Sequence, residues 1–401
     1  MTVTPHPKDT AVNRAPVRGA FASEVRATIR LALPLALTQV GQLAMFTTDL
    51  MIIGRLGEDE LAGAALAHTV LFTAFLIGMG VTSGVAPLTA QALGAGDERM
   101  VRRSVRVGLH AVALIALPMI AFQLYSEPIL LALGQAPVIT QIAVLYLSTL
   151  AWAVLPAWGF MALRGYMSAL DVPNPGLWIM LAGIPVNAAL AYVLVFGFAG
   201  LPALGIIGAG IATTAVNVAM LVAAALVVAR HHRLNAYAPF ERIWRPDWQQ
   251  LRRLLAIGLP ATIAFAMENG LFTAAALMAG AISATALASH QIALQVAAVV
   301  FMVPLGFGLA ASVRVGERYG AGDMAGAVRA GRVAILLGIV VTTTTTLLTL
   351  SATTLLPMLF LGERSPTNAA VFDLASVLLV FAAAFFIVDG MQTILAGALR
   401  G

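Results

Sequence analysis

The sequence predicts an all-α polytopic membrane protein built as two parallel, pseudo-symmetric helical bundles. Three observations predict it. Hydrophobic residues make up 60% of the 401 and charged residues 10%, with a mean hydropathy of +0.92, whereas soluble domains carry about 25% charged residues. Ten apolar segments come close to the ~20 residues that cross a bilayer. The third observation is an internal repeat. Leu259-Pro260, Phe272-Thr273, Gly280, Leu287-Ala288, Gly306, Gly320-Ala321-Gly322-Asp323, Arg329 and Arg332 recur 226 residues earlier, as Leu33-Pro34, Phe46-Thr47, Gly54, Leu61-Ala62, Gly80, Gly94-Ala95-Gly96-Asp97, Arg103 and Arg106. A constant offset through two helices and a loop marks a duplicated unit.

Taken in order, residues 1–25 form a polar tail without the apolar core and cleavage site of a signal peptide. The apolar segments follow at about 27–54, 61–92, 104–124, 138–160, 176–198 and 205–229, which together make the first bundle, 26–229. Prolines 87, 118, 156 and 185 fall inside them and read as packing kinks, tolerated where neighbours re-satisfy the freed backbone. The stretch RHHRLNAYAPFERIWRPDWQQLRR, 230–253, is the one long polar interruption and serves as a cytoplasmic linker. The second bundle, 254–401, holds segments at about 254–281, 285–313, 330–355 and 370–396, with Pro304 in the eighth and a tight turn near Ala284.

Six crossings precede the linker, so both bundles start on the same side of the membrane and relate by an axis along its normal. Placing the N-terminus inside puts 21 of the 23 Lys and Arg on that side and leaves only Arg55 and Arg364 outside, a strong positive-inside asymmetry. A second match, Ala162-Leu163-Arg164-Gly165 with Ala398-Leu399-Arg400-Gly401, ends the second bundle where the first continues for two more helices. By analogy with 166–230, a chain lacking two helices is expected, and one inactive or unstable in transport, because lipid would meet faces suited to protein packing.

Composition excludes several classes. With no cysteine there is neither a disulfide nor a thiolate metal site. The net charge of +5 comes from short loops between apolar spans, so nucleic acid is not a partner. HExxH, a nucleophile elbow and a phosphate loop are all missing, and the GAGD loops lack the lysine of a P-loop.

The carboxylates stand out instead. Asp49, Glu268 and Asp389 lie within apolar segments, where an ionisable residue is costly and marks a functional site by default. Each can bind a proton reversibly, offer oxygen ligands to a hard cation, or simply hydrogen-bond to a neighbouring helix. Arginine is expected to be absent from the spans, so a permanent ion pair does not explain them. Glu268 lies 15 residues beyond Arg253 and Asp389 lies 11 before Arg400, about 22 and 16 Å of helix, which brings both to mid-membrane depth. Phe385 falls one turn from Asp389 on the same face, where its ring can meet a cation or only fill the core. Asp49, Asn187, Thr213 and Thr214 fall on the first, fifth and sixth segments and are expected to converge. Gln42 is a further candidate for the substrate cavity. His68 and His290 sit near outer helix ends and are read as helix-end hydrogen-bonding groups. The sixteen methionines suit either a promiscuous cavity or core filling.

The motifs TTDLMIIGRLG (47–57), QALGAGD (91–97), MALRGYMSALDVPNPG (161–176), IPVNAALAYVLVFG (184–197), MENGLF (267–272), SHQIAL (289–294), SVRVGERYGAGD (312–323) and VDGMQTILAGALRG (388–401) carry a resemblance. Together they make the chain similar to the multidrug and toxic compound extrusion (MATE) family, and to its bacterial NorM branch in particular. The resemblance covers everything after the tail. It implies twelve helices in two six-helix lobes, of which ten are present here. It also implies a monomer in the bacterial inner membrane that exports cationic or amphipathic compounds in exchange for Na⁺ or H⁺, with no other cofactor. In the NorM branch the residues matching Glu268 and Asp389 form the cation site of their lobe, with Na⁺ as one occupant. Asn187 matches the family's helix-five asparagine and the threonines match loosely. Ala191 stands where archaeal members carry an aspartate, which points to the NorM type. His290-Gln291 also matches a family motif and joins the supporting candidates. Two other classes compete: a lipid-linked oligosaccharide flippase of related fold, which would need cationic residues facing a cavity, and a membrane-embedded acid/base enzyme, which would need a metal cluster or nucleophile.

Overall fold

The computed structural model describes residues 17–198 and 202–401, so residues 1–16 of the expected tail lie outside it. Ten spans appear among the described residues: α1 Val17–Ile53, α2 Glu58–Gly94, α3 Glu98–Leu124, α4 Pro137–Ala169, α5 Asn174–Phe196, α6 Gly205–Arg230, α7 Trp248–Ile282, α8 Ala284–Gly320, α9 Met324–Ser351 and α10 Ala369–Arg400. Short helical turns at Glu127–Ala132, His232–Asn235 and Leu355–Leu361 fill the connections. Strands are absent among the described residues.

The chain makes helices because its apolar runs leave backbone groups no other partner in lipid. Buried hydroxyls on these helices turn inward too: Thr38, Thr82 and Thr89 each donate to the carbonyl four residues back, at 2.7 Å. Punctuation is supplied by the repeated GAGD loop. Gly96 and Gly322 adopt φ of 68° and 71°, the left-handed conformation open to glycine. The amides of Asp97 and Asp323 return to the carbonyls of Ala92 and Arg318, both at 3.0 Å. The two aspartate side chains then cap the next helix, accepting from Met100 N (3.0 Å) and Gly326 N (2.8 Å). The loop is therefore a helix-to-helix corner, used identically in both halves. Ser283 alone separates α7 from α8 and caps α8 through Ala286 N.

Two details differ from the sequence expectation. The second segment is broken at Ser83–Gly84, so Pro87 sits in the first turn of a separate ten-residue piece, Val85–Gly94. More consequentially, α4 continues to Ala169 and α8 to Gly320, well past the apolar windows that ended at 160 and 313. Arg164 is thus inside a span, and only 6% exposed. The expectation of spans free of arginine fails because packing between helices, not hydropathy, decides where these helices stop.

The halves meet along α1 against α8 and α2 against α7, and glycine sets the distance. A Cβ on Gly80 would overlap the backbone of Thr262, and one on Gly306 would overlap Ala36. A Cβ on Gly94 would strike Glu317 O, and one on Gly320 would strike Gln91 O. These contacts are exchanged mates: 80 and 306, 36 and 262, 94 and 320, and 91 and 317 all differ by the same 226. An interface in which residue i meets j while the mate of j meets the mate of i is a two-fold interface, here within one chain. The parallel pseudo-symmetry is consequently built from backbone-to-backbone contact.

Replacing Gly94 or Gly320 by leucine should lower the melting temperature in detergent markedly, since overpacking costs about 1–3 kcal/mol or more. Gly270→Ala and Gly331→Ala meet nothing within 4 Å and should melt at or slightly above the parent, because alanine is the better helix former. Equal melting of both sets would mean that the seam tolerates side chains and does not control packing.

Candidate functional site

Two polar clusters interrupt the apolar interior. The first gathers on α1, α5 and α6. Asp49 is 1% exposed. Its Oδ1 accepts from Asn187 Nδ2 at 2.5 Å and its Oδ2 accepts from Thr213 Oγ1 at 2.8 Å. Asn217 Nδ2 in turn donates to Thr213 O, one turn back on the same helix, at 2.8 Å. The amide oxygen of Asn187 is buried without a hydrogen-bond partner, so the cluster has oxygen lone pairs to spare and no base beside them. The structure brings Asp49, Asn187 and Thr213 together. Thr214 points elsewhere, donating to Thr149 O on α4 at 2.8 Å, because it lies 100° further round the helix.

Sequence reasoning missed one member of this surrounding. Tyr146 on α4 is fully buried, its hydroxyl has no hydrogen-bond partner, and it lies within electrostatic reach of Asp49. Its ring lies 5.9 Å from that of His68, which also meets Phe46 edge-on at 5.7 Å. A buried phenol usually finds a partner, so a lone tyrosine in an apolar segment was the available signal. The helix-end hydrogen bonds expected of His68 and His290 are not found at Nε2: in both rings that atom is buried and unpartnered. For His68 the cause is the aromatic cage around it.

The second cluster lies on α7 and α10. Asp389 is buried and Glu268 half-buried, and the two carboxylates interact electrostatically. No basic side chain pairs with either among the described residues. One turn towards the other end of the molecule, Phe272 and Phe385 meet edge to face at 5.9 Å. Since Phe272 follows Glu268 by four residues and Phe385 precedes Asp389 by four, the antiparallel helices stack an aromatic pair directly over an acidic pair. α7 packs on α2 and α8, while α10 packs on α8 and α9, so the four side chains span the space between α7 and α10. Past Phe265, α7 has no buried residue. Glu268 therefore stands just beyond the glycine seam, on the side away from the arginine-rich end.

Pseudo-symmetry adds a comparison. Gln42, half-buried on α1, is the 226-residue mate of Glu268. The duplicated position carries an amide in one half and a carboxyl in the other. His290 lies on α8 away from both acids. Among the described residues no group of three or more His, Cys, Asp or Glu forms a metal cage. Two acids with no counter-charge can share a proton or a monovalent cation between them.

Comparison with known proteins agrees with this architecture. The family model described as MatE matches residues 34–193 and 260–401. The "Probable multidrug resistance protein NorM" of Bradyrhizobium diazoefficiens is 53% identical over 381 residues, covering 95% of this chain and 82% of that protein. The protein of the same name from Rhodopseudomonas palustris is 50% identical over 382 residues, covering 95% and 80%. Among solved structures, the eukaryotic MATE transporter AtDTX14 superposes with a TM-score of 0.85 at 21% identity, over 95% of this chain and 83% of that one; at that identity the likeness is one of fold.

Thr213→Val removes one of two donors to a buried carboxylate and should cost about 1–3 kcal/mol of stability. Thr213→Ser should restore most of it, and Thr214→Val should cost less because Asp49 keeps both its donors. Thermal melting of the three variants checks this; a Thr214→Val loss larger than that of Thr213→Val would contradict the assignment.

Proposed function

The chain belongs to the MatE family, and we propose that it is a secondary antiporter exporting cationic or amphipathic organic compounds in exchange for inward-moving Na⁺ or H⁺. As a member of that family it is a multi-pass membrane transporter and not an enzyme. The names of its relatives support multidrug export as the task. The observation that carries the finer reading is the Glu268–Asp389 pair. Two uncompensated carboxylates within a bilayer favour a cationic cargo, whether drug, Na⁺ or proton.

The mechanism follows from charge. Both acids cannot stay ionised and unpaired together, since repulsion and desolvation oppose it. The pair must hold a cation or at least one proton at rest. A coupling ion arriving from outside neutralises it and weakens its hold on a cationic drug. Drug arriving from inside favours release of the ion by the same coupling free energy, which is reciprocal. Phe385 and Phe272 offer ring faces and edges to the apolar part of the cargo. Asp49 with Asn187 and Thr213 is a second proton or cation site, with Gln42 on the same helix as a substrate-cavity residue.

We place the protein in the bacterial inner membrane as a monomer with its N-terminus in the cytoplasm, on the strength of the 21-to-2 basic asymmetry. The moving bodies are the lobes 26–229 and 254–401, joined by the linker 230–253. With the arginine-rich end inside, the glycine seam closes the cytoplasmic side and leaves the acid pair facing out. A membrane-embedded enzyme has no support in the site. The flippase reading has a single observation in its favour, the two arginines that line one cavity, described below.

Ethidium efflux should be followed in proteoliposomes given a Na⁺ or an H⁺ gradient separately. Glu268→Gln and Asp389→Asn are each expected to reduce ion-driven efflux at least tenfold while leaving the amount of inserted protein near that of the parent. Retention of gradient-dependent efflux in both variants would make the pair structural and this mechanism wrong.

A further inference from the structure

The ALRG motif recurs at 162–165 and 398–401, and the structure brings its two arginines to one place. Arg164 on α4 and Arg400 on α10 line a single cavity of about 40 Å³ between the halves, together with Gln39, Ser83, Ser168 and Phe265. Arg164 is 6% exposed and Gln39 is 2% exposed. Arg164 Nη2 donates to Gln39 Oε1 at 2.7 Å. Arg400 Nε donates to Ala396 O at 3.1 Å, with its guanidinium carbon 5.9 Å from the Phe265 ring centre. Those are the contacts the protein supplies to two groups that carry five N–H donors each.

Neither arginine has an anionic partner among the described residues. The nearby acid at this end, buried Glu24, is already clamped by Arg314 at 2.7 Å and Arg318 at 3.4 Å. The hydroxyl protons on the cavity wall are spent as well: Thr82 donates to Gly78 O, Ser83 to Gly80 O and Ser168 to Arg164 O. The cavity thus gathers two guanidinium groups, Arg164 buried and Arg400 half-buried, and no carboxylate lines it. A charge taken out of water without a counter-charge is unfavourable, which makes an anion welcome beside Arg164. What is missing is one small, acceptor-only group.

We propose that this cavity is a halide site, in which a chloride ion bridges Arg164 of the first half and Arg400 of the second. Size selects the occupant. A volume of about 40 Å³ accommodates on the order of three waters, which suits chloride with a water or two. It does not suit a hydrated phosphate or the diphosphate of a lipid-linked sugar. The site's position gives it a consequence. It lies on the arginine-rich side of the acid pair, where the seam joins the halves, so a bound chloride fastens the closed end through charge where glycine fastens it through contact. Separation of the halves would pull the two guanidinium groups apart and release the ion. Chloride is therefore expected to favour the conformation closed at the arginine-rich end.

The test is thermal melting of the purified protein in chloride, phosphate and gluconate at matched ionic strength. Chloride should raise the melting temperature saturably relative to gluconate, by on the order of 3 °C when well above its dissociation constant. Arg164→Gln and Arg400→Gln should each abolish the saturable rise and melt in gluconate no lower than the parent, since each removes an uncompensated charge. A chloride shift that survives in both variants reflects surface salt effects and overturns the proposal, as does the absence of any shift in the parent. A saturable, arginine-dependent response to phosphate in place of chloride overturns the halide assignment. Should the variants not yield protein, crystals of the parent soaked in bromide decide: an anomalous peak between the two guanidinium groups supports the site, and an empty cavity refutes it.

Discussion

The rest of this structure depends on the close approach of backbones along the seam between the halves. At Gly80, Gly94, Gly306 and Gly320 a neighbouring main chain occupies the space a Cβ would need. In a membrane the hydrophobic effect gives helices no reason to associate, and contact must come from packing and polar pairing. The seam answers with shape alone at its centre, and two pairs of glycines suffice because pseudo-symmetry uses each contact twice. Everything else is placed relative to it: α7 is buried as far as Phe265 and not beyond, so the acid pair begins where the seam ends.

Charge is distributed by a different rule. The scaffold residues of the repeat match across 226 positions, and so do the loop residues Asp97, Arg103 and Arg106 with Asp323, Arg329 and Arg332, whereas the carboxylates within the spans do not. Glu268 faces a mate of glutamine, and Asp49 faces a mate of alanine, Ala275. One half consequently holds a lone carboxylate satisfied by Asn187 and Thr213, and the other holds two carboxylates with no donors from side chains. The first carboxylate has two side-chain donors, while the second pair has neither donor nor base beside it among the described residues. A duplicated frame with unduplicated charge gives one chain two polar clusters of different chemistry. Arg164 and Arg400 come from motifs that match at a different offset, and they converge on one cavity.

The fold was legible because its determinants are periodic. Apolar length located all ten spans, and the offset of 226 paired the glycines that the structure places on the seam. The GAGD corners were legible only as a repeated loop; their left-handed glycine and N-capping aspartate come from the structure. The convergence of Asp49, Asn187 and Thr213 could be anticipated from polarity in apolar segments. Thr214 could not be separated from Thr213, because adjacent helical residues diverge by 100° and only the packing says which one turns inward. Arg164 was misplaced into a loop for a related reason: hydropathy reads the side chain and is blind to a neighbour that buries it. Tyr146 drew no attention in the sequence and His68 was read as a helix-end hydrogen-bonding group; their unpartnered polar atoms emerge only from three-dimensional neighbours.

These two kinds of contact differ in what it takes to undo them. The seam holds through dispersion, which falls away within an ångström of separation and leaves no unsatisfied donor behind. The clamp of Arg314 and Arg318 on Glu24 joins α8 to α1 at the arginine-rich end, and opening it would leave a buried carboxylate needing water or a new partner. A transporter that alternates must therefore let water reach that end as the seam parts, because charges separate cheaply only when hydrated. The polar and charged residues on the arginine-rich side of the seam, Glu24, Gln39, Gln91, Arg314 and Arg318, offer that water a path. On the acid-pair side the nearest side chains one turn away are aromatic, Phe272 and Phe385. Polar side chains able to follow water thus gather at the arginine-rich end, and the proposed antiport leaves the charge of Glu268 and Asp389 to be met by a proton or cation.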